Sequence, residues 1–356
     1  MTHGRPTLDT VAERAGVSRM TVSNAYNRPD QLSAATREKV FQAAAELGYG
    51  GPDPAGRSLR RGRSGTVGVL LTEQLPYAFA DPGMVAFLHG VASELADAGE
   101  ALLLLPTGGS PEHALVRDAI VDAFILCSLA PDEPAVADVL ARRLPVVTAG
   151  SPHLTGAPFV GIDNVRAAAE VARHLLGLGH RRLGVLTVPG RPEGSPTPGP
   201  NRPAQRARVQ GFRQALADAA LPVEAIPLVE AGTHDRSAGA AAVRPLLRLP
   251  STRRPTALFA TTDVLALGVL DAAAELGIAV PGQLSVVGFD DIAEAATASP
   301  PLTTVAQSLF DQGRAAARLA LRLMDGEPAR SPRLRPTLIV RDSTAAPPAR
   351  PTRRAP

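Results

Sequence analysis

Residues 8–27 read Leu8-Asp-Thr-Val-Ala-Glu-Arg-Ala-Gly16-Val-Ser18-Arg-Met-Thr-Val-Ser-Asn-Ala-Tyr-Asn27, two short helical stretches broken at Gly16-Val17-Ser18. Leu8, Val11, Ala12 and Ala15 recur at helical spacing and form one apolar stripe, which Val22 and Tyr26 close from the second helix. Gly16 stops the first helix, because a residue without Cβ enters the left-handed region at little steric cost. Ser18 then offers a side-chain oxygen to the orphan amides of the next helix. The spacing is that of a helix-turn-helix, whose second helix lies in a DNA major groove. The outward side chains Arg19, Met20, Ser23, Asn24 and Asn27 suit that role: Arg donates twice to guanine, Asn pairs with adenine, and Met touches a thymine methyl. A third helix, capped by Ser33 and running from Ala34 to Leu47, turns Val40, Phe41, Ala44 and Leu47 inward.

The pattern continues through Ser33-x-x-Thr36-Arg37-Glu38-Lys39-Val40 and Leu47-Gly48-Tyr49. Together with Val11-Ala-x-x-Ala-Gly-Val-Ser-x-x-Thr-Val-Ser-x-x-x-Asn27 it resembles the DNA-binding headpiece of the lactose/galactose repressor (LacI/GalR) family. The resemblance implies base reading by Arg19, Met20 and Asn24, with Ser18, Thr21, Ser23, Asn27, Gln31 and Ser33 near phosphates or flanking bases. Many relatives carry Arg where this chain has Asn24, so its operator is its own.

The 356 residues predict two to three domains and a large core. Net charge is +3, unevenly spread: residues 1–63 hold 10 Lys+Arg against 6 Asp+Glu, the rest 27 against 28. The basic excess sits at the DNA-reading end, as phosphate binding asks. No apolar run spans a bilayer and no export signal precedes the headpiece, so the expected place is the cytoplasm, associated with the nucleoid. The single cysteine, Cys127, lies in the apolar run Ala-Phe-Ile-Leu-Cys and reads as core.

Residues 51–64 are Gly- and Arg-rich, with Asp53 and Pro54 able to open one short helix. Alone in water such a helix does not persist. The resemblance implies a hinge helix that folds in a dimer on DNA and drives Leu59 between base steps in the minor groove. From Thr66 onward, strand-like Val/Leu/Ile runs alternate with amphipathic stretches, and the pattern restarts at Arg182. Continuous apolar strands are what a parallel sheet covered on both faces requires.

The expected fold is therefore an N-terminal all-α helix-turn-helix headpiece (1–50) and hinge (51–64), followed by an α/β core (65–343) with parallel sheets. By the resemblance, carried by Val160-Gly-Ile-Asp-Asn164, Leu178-Gly-His-Arg-Arg182, Gly211-Phe212, Ala260-Thr-Thr-Asp-Val-Leu-Ala-Leu-Gly268 and Ser285-Val-Val-Gly-Phe-Asp-Asp291, that core is two-lobed and periplasmic-binding-protein-like. Lobe 1 spans about 65–162 and 291–324, lobe 2 about 163–290 and 325–343, and 344–356 is a disordered basic tail. The resemblance also implies a small-molecule effector, a sugar, in the interlobe cleft. Open parallel sheets bind beyond the carboxyl ends of their strands. Arg208 and Asp263 match the family's arginine and aspartate on ligand hydroxyls, a pairing that suits vicinal diols. Tyr77 and Phe79 could stack on a sugar face, while Thr72, Asp163 and His234 complete the candidate site. Gly150 stands where some relatives hold a carboxylate, and the chain has no tryptophan.

No catalytic, cofactor or metal constellation emerges. Gly177-x-Gly179 precedes a strand and terminates a helix, whereas a dinucleotide fingerprint follows a strand and opens a helix. The seven histidines are scattered, and Asp290-Asp291 on a strand would point to opposite faces. The resemblance thus implies a homodimeric, effector-controlled repressor on a near-palindromic duplex operator. The rival is a sugar-binding receptor without DNA function, which the headpiece opposes.

Overall fold

The computed structural model describes residues 6–51, 62–72, 75–107, 114–188 and 203–348. The expected hinge helix with Leu59, the loop 190–202, the tail beyond 348 and the side chain of Tyr77 lie outside the described residues. The chain divides into two compact units, Met1–Gly65 and Thr66–Pro356.

In the first unit α1 (Leu8–Ala15), α2 (Arg19–Asn27) and α3 (Ala34–Glu46) enclose Val11, Ala12, Ala15, Val22, Ala25, Val40, Ala43 and Ala44. Thr7 and Thr10 cap α1 reciprocally, Gly16 turns the chain at φ 62°, and Ser18 accepts from the Thr21 amide at 3.0 Å. Phe41 departs from its expected inward place: it is 40% exposed, its ring edge on Tyr26 at 5.1 Å, and Ala43 fills the core position. Small alanines let three short helices approach closely, which leaves no room for a Phe between them.

The second unit opens with β1 (Thr66–Leu71), α4 (Leu75–Ala80), α5 (Pro82–Ala98), β2 (Ala101–Pro106), α6 (Ala114–Asp118), β3 (Ala123–Cys127), α7 (Pro134–Ala141), β4 (Val146–Ala149) and β5 (Phe159–Val160). These strands form a parallel sheet in the order β2-β1-β3-β4-β5. Alternation splits each strand between two cores: Val67, Val69 and Leu71 face one side, Leu70 the other; Ile125 and Cys127 face one, Phe124 and Leu126 the other. Both faces are therefore dry, which is why the sequence shows continuous apolar runs.

The second lobe repeats the plan with α8 (Asn164–Gly177), β6 (Leu183–Thr187), α9 (Pro203–Asp218), β7 (Leu228–Glu230), α10 (Arg236–Leu247), β8 (Ala257–Ala260), α11 (Asp263–Glu275) and β9 (Ser285–Val287), in sheet order β7-β6-β8-β9. Gly211 lets α9 lie directly on α8, because a Cβ there would overlap the Val165 carbonyl oxygen. After α12 (Ala293–Thr297), β10 (Thr304–Ala306) pairs antiparallel with β11 (Thr337–Ile339), and α13 (Leu309–Met324) lies between them in sequence. The three-residue ribbon is too short to show in the sequence pattern.

The lobe boundaries shift from those expected. Ile292, Ala295, Leu302 and Val305 bury among lobe 2 side chains, so the chain returns to lobe 1 only near Gln307, not 291. Ala316, Ala317 and Ala320 of α13, followed by Ala329 and Leu334, pack on lobe 1, and Leu338 of β11 returns to lobe 2. That second return falls near 337 rather than 325. The start of the expected tail is also held: Ala345 accepts from His180 Nε2 at 2.9 Å and its amide donates to Ser285 Oγ at 3.1 Å. Among the described residues, no helix is long and apolar enough to cross a membrane.

Candidate nucleic-acid interface and ligand cavity

The sequence places Arg19 and Met20 in the first turn of α2, where the cap leaves them outside the core. Met20 is 73% exposed, a large apolar side chain offered to solvent, and Arg19 Nε lies 3.6 Å from Asp9 Oδ1. Such an exposed pair is weak and exchanges readily for a stronger partner. Asn24 is half-buried one turn on. Ser18 and Thr21 share a 2.9 Å hydroxyl contact, as Ser33 does with Thr36 at 2.8 Å, so both serines serve as caps while remaining exposed. Gln31 is exposed on the 3-10 turn Pro29–Gln31. Asn27 bends back on its own helix, its Nδ2 donating to the Ser23 carbonyl at 2.8 Å.

In the second unit the carboxyl ends of both sheets meet at one cavity of about 140 Å³, measured as the space in which the centre of a water molecule can move. Its apolar wall comes largely from lobe 1, with Leu71, Ala78, Met84, Phe87 and Leu309. Its polar side is Asp81, Asn164, Arg208, His234, Thr262 and Asp290.

Arg208 is held on three sides. Its Nε donates to Asn164 Oδ1 at 2.9 Å, and its Nη1 donates to the Thr261 carbonyl at 2.7 Å and to Asp290 Oδ1 at 3.1 Å. The guanidinium lies over the Phe289 ring, 3.7 Å from its centroid. Among the described residues, no partner is recorded for Nη2, so a donor remains for a guest. Asp290 also accepts from Gln307 Nε2 at 2.5 Å. Burial pushes the Asp290 carboxyl up to about 7; Arg208 opposes this, while Asp263 and Asp81 reinforce it. Burial likewise works against the Arg208 charge, and Asp290 supports it.

Of the residues expected at the effector site, the structure brings together Thr72, Arg208 and His234, with Gly150 beside them. The Thr72 hydroxyl donates to the Ser128 carbonyl at 2.8 Å. His234 is buried, Nε2 2.8 Å from Thr262 Oγ1 and Nδ1 3.7 Å from Asp81 Oδ2. Three others are elsewhere. Asp163 caps α8, its Oδ1 accepting from the Arg166 amide. Phe79 is 63% exposed on α4. Asp263 is fully buried behind the cavity wall, its oxygens taken by the Thr304 hydroxyl at 2.5 Å and the Ile292 amide at 3.0 Å.

The carboxylate that faces the cavity is Asp290, which sequence reasoning set aside as a strand residue. The strand β9 ends at Val287, and Asp290 and Asp291 have φ of 121° and 57°. They diverge because the backbone turns: Asp291 accepts from Arg341 Nη2 at 2.6 Å while Asp290 reaches Arg208. Positive φ at two consecutive aspartates carries no sequence mark except that Asp tolerates it better than most residues. Asp81 and Asn164 were also missed, although Asp81 before Pro82 is a readable helix start.

The arrangement offers one arginine fork, two carboxylates and neutral amides over an apolar floor, which binds and orients hydroxyls. Among the described residues, no group of His, Cys, Asp or Glu could hold a metal ion.

Residues 7–51 match the family described as bacterial regulatory proteins, lacI family, and residues 172–344 match a periplasmic binding protein-like domain. The chain is 41% identical over 361 residues to the HTH-type transcriptional regulator Rv3575c of Mycobacterium tuberculosis, with 97% of this chain and 98% of that one covered. Among solved structures it resembles the transcriptional regulator CelR in complex with cellobiose, at 33% identity, TM-score 0.66 and coverage of 95% and 100%. It also resembles the lac repressor dimer bound to operator and the anti-inducer ONPF, at 26% identity, TM-score 0.78 and coverage of 96% and 100%. The chain therefore belongs to the lacI family of bacterial regulatory proteins and is a DNA-binding transcriptional regulator.

Proposed function

We propose that this chain is a repressor that binds a near-palindromic operator as a homodimer and is controlled by a small polyhydroxylated effector, a sugar, in the interlobe cavity. One observation carries the reading: a capped, exposed α2 presenting Arg19 and Met20 stands on the same chain as a cavity lined by Arg208 and Asp290. Arg19, Met20 and Asn24 read bases, and Ser18, Thr21, Ser23, Asn27, Gln31 and Ser33 set position on phosphates and flanking bases. Leu59 supplies the minor-groove wedge.

In the cavity, Arg208 and Asp290 grip vicinal hydroxyls, with Thr72, Asn164, Thr262 and His234 orienting the guest. Asp263 acts from behind, tying Ile292 and Thr304 and so holding the turn that carries Asp290. On this reading the site binds without turnover, and a DNA-reading headpiece supports a location with the chromosome in the cytoplasm. Effector and operator are linked: whichever lobe arrangement the guest favours changes operator affinity, and operator changes guest affinity by the same factor. The CelR complex with cellobiose supports the sugar class, and the lac repressor dimer on operator supports the assembly.

The test is stoichiometry on symmetric DNA. Two chains should bind one duplex carrying an inverted repeat, and a duplex with a single half-site should bind far more weakly. Equal binding of one chain to a single half-site contradicts the dimeric reading.

A further inference from the structure

We propose that Asp81 makes the cavity selective for an uncharged polyol guest and excludes phosphorylated sugars; this rests on reading the cavity as the effector site.

Among the described residues, five titratable groups line the cavity: Asp81, Cys127, Arg208, His234 and Asp290. Among the described residues the lining holds one arginine and no lysine, and Arg208 is matched by Asp290 at 3.1 Å. Asp81 adds a second carboxylate from lobe 1, its Oδ2 3.7 Å from His234 of lobe 2. Its field reaches the other pair: it raises the Asp290 carboxyl and supports the Arg208 charge. A phosphate ester entering here would meet two carboxylates at close range, where like charges repel. Hydroxyls suffer no such penalty and can donate to both carboxylates.

Asp81 has a second job, since its Oδ1 accepts from the Gly83 amide at 3.0 Å at the start of α5. Asparagine caps helices as well as aspartate does. Asp81→Asn therefore removes the charge while keeping the cap, separating selectivity from folding.

The experiment is a thermal-shift panel on the full chain at millimolar probe: aldopentoses, aldohexoses and hexitols, their phosphate esters, and disaccharides including cellobiose. The expected result is a raised Tm with at least one neutral sugar or polyol and none with the phosphate esters. In Asp81→Asn the phosphate ester of the active polyol should gain at least about tenfold in affinity. Protection of the wild-type chain by an ester as strong as by any neutral probe overturns the selectivity and leaves the effector-site reading standing. No gain for the ester in Asp81→Asn overturns the role given to Asp81. Protection by no probe at all overturns both the selectivity and the sugar-effector reading on which it rests.

Discussion

Asp263 and Asp290 lie close in space and divide the work of one carboxylate site. Asp263 directly follows a strand, so sequence reasoning gave it the ligand; Asp290 sits where the backbone bends through positive φ, and linear pattern cannot show which way it points. Burial raises both, Asp263 to about 6 and Asp290 to about 7, above the ordinary value near 4 of an unfolded chain. A folded state with raised carboxyl pKa values holds protons more tightly than the unfolded one. Its stability from these groups is full below about pH 4 and is lost as pH rises through about 6 to 7. The stability of Asp290→Asn relative to wild type should therefore rise with pH across that window, as read by melting curves at each pH; a constant difference contradicts the assignment. At the DNA-reading end, Asn24→Ala should lose about 1–3 kcal/mol of discrimination at one base position while binding other sites equally. Gel shifts on a panel of singly substituted duplexes check this, and an unchanged preference would remove Asn24 from the reading set.

Elements were far more legible than residues. The helix-turn-helix was readable because its caps are side chains with fixed chemistry: Ser18, Ser33 and Gly16 stand where the sequence places them. The buried strands were readable because parallel sheets leave no polar face. The β10–β11 ribbon was not, since three residues carry no period, and the lobe boundaries near 307 and 337 follow from packing that sequence does not order. Phe41 shows the same limit: helical spacing put it inward, and the closeness of the alanine-lined helices put it out. Two glycines give element-scale tests. Gly16→Ala forces a side chain into φ 62° and should cost the headpiece about 1–2 kcal/mol, seen as an earlier first transition in urea. Gly211→Ala should cost about 1–3 kcal/mol in the core, because α9 must move off α8, and should weaken guest binding by displacing Arg208 one turn earlier. Unchanged melting in either variant would mean that the helices have slack which the geometry denies.

At the scale of the whole molecule, the regulation we propose is the free energy that links the DNA-reading headpiece to the cavity on the same chain. The basic excess over residues 1–63 supports phosphate contact, so operator affinity should fall linearly with the logarithm of salt concentration. The central claim is sequence-specific binding through α2. It is tested most directly by selecting bound duplexes from a random DNA pool with the full chain, in parallel with Arg19→Ala. The account predicts enrichment of a near-palindromic site by the wild-type chain and a lost or altered base preference at the matching symmetric positions with Arg19→Ala. Absence of enrichment, or the same site recovered with both proteins, would contradict it.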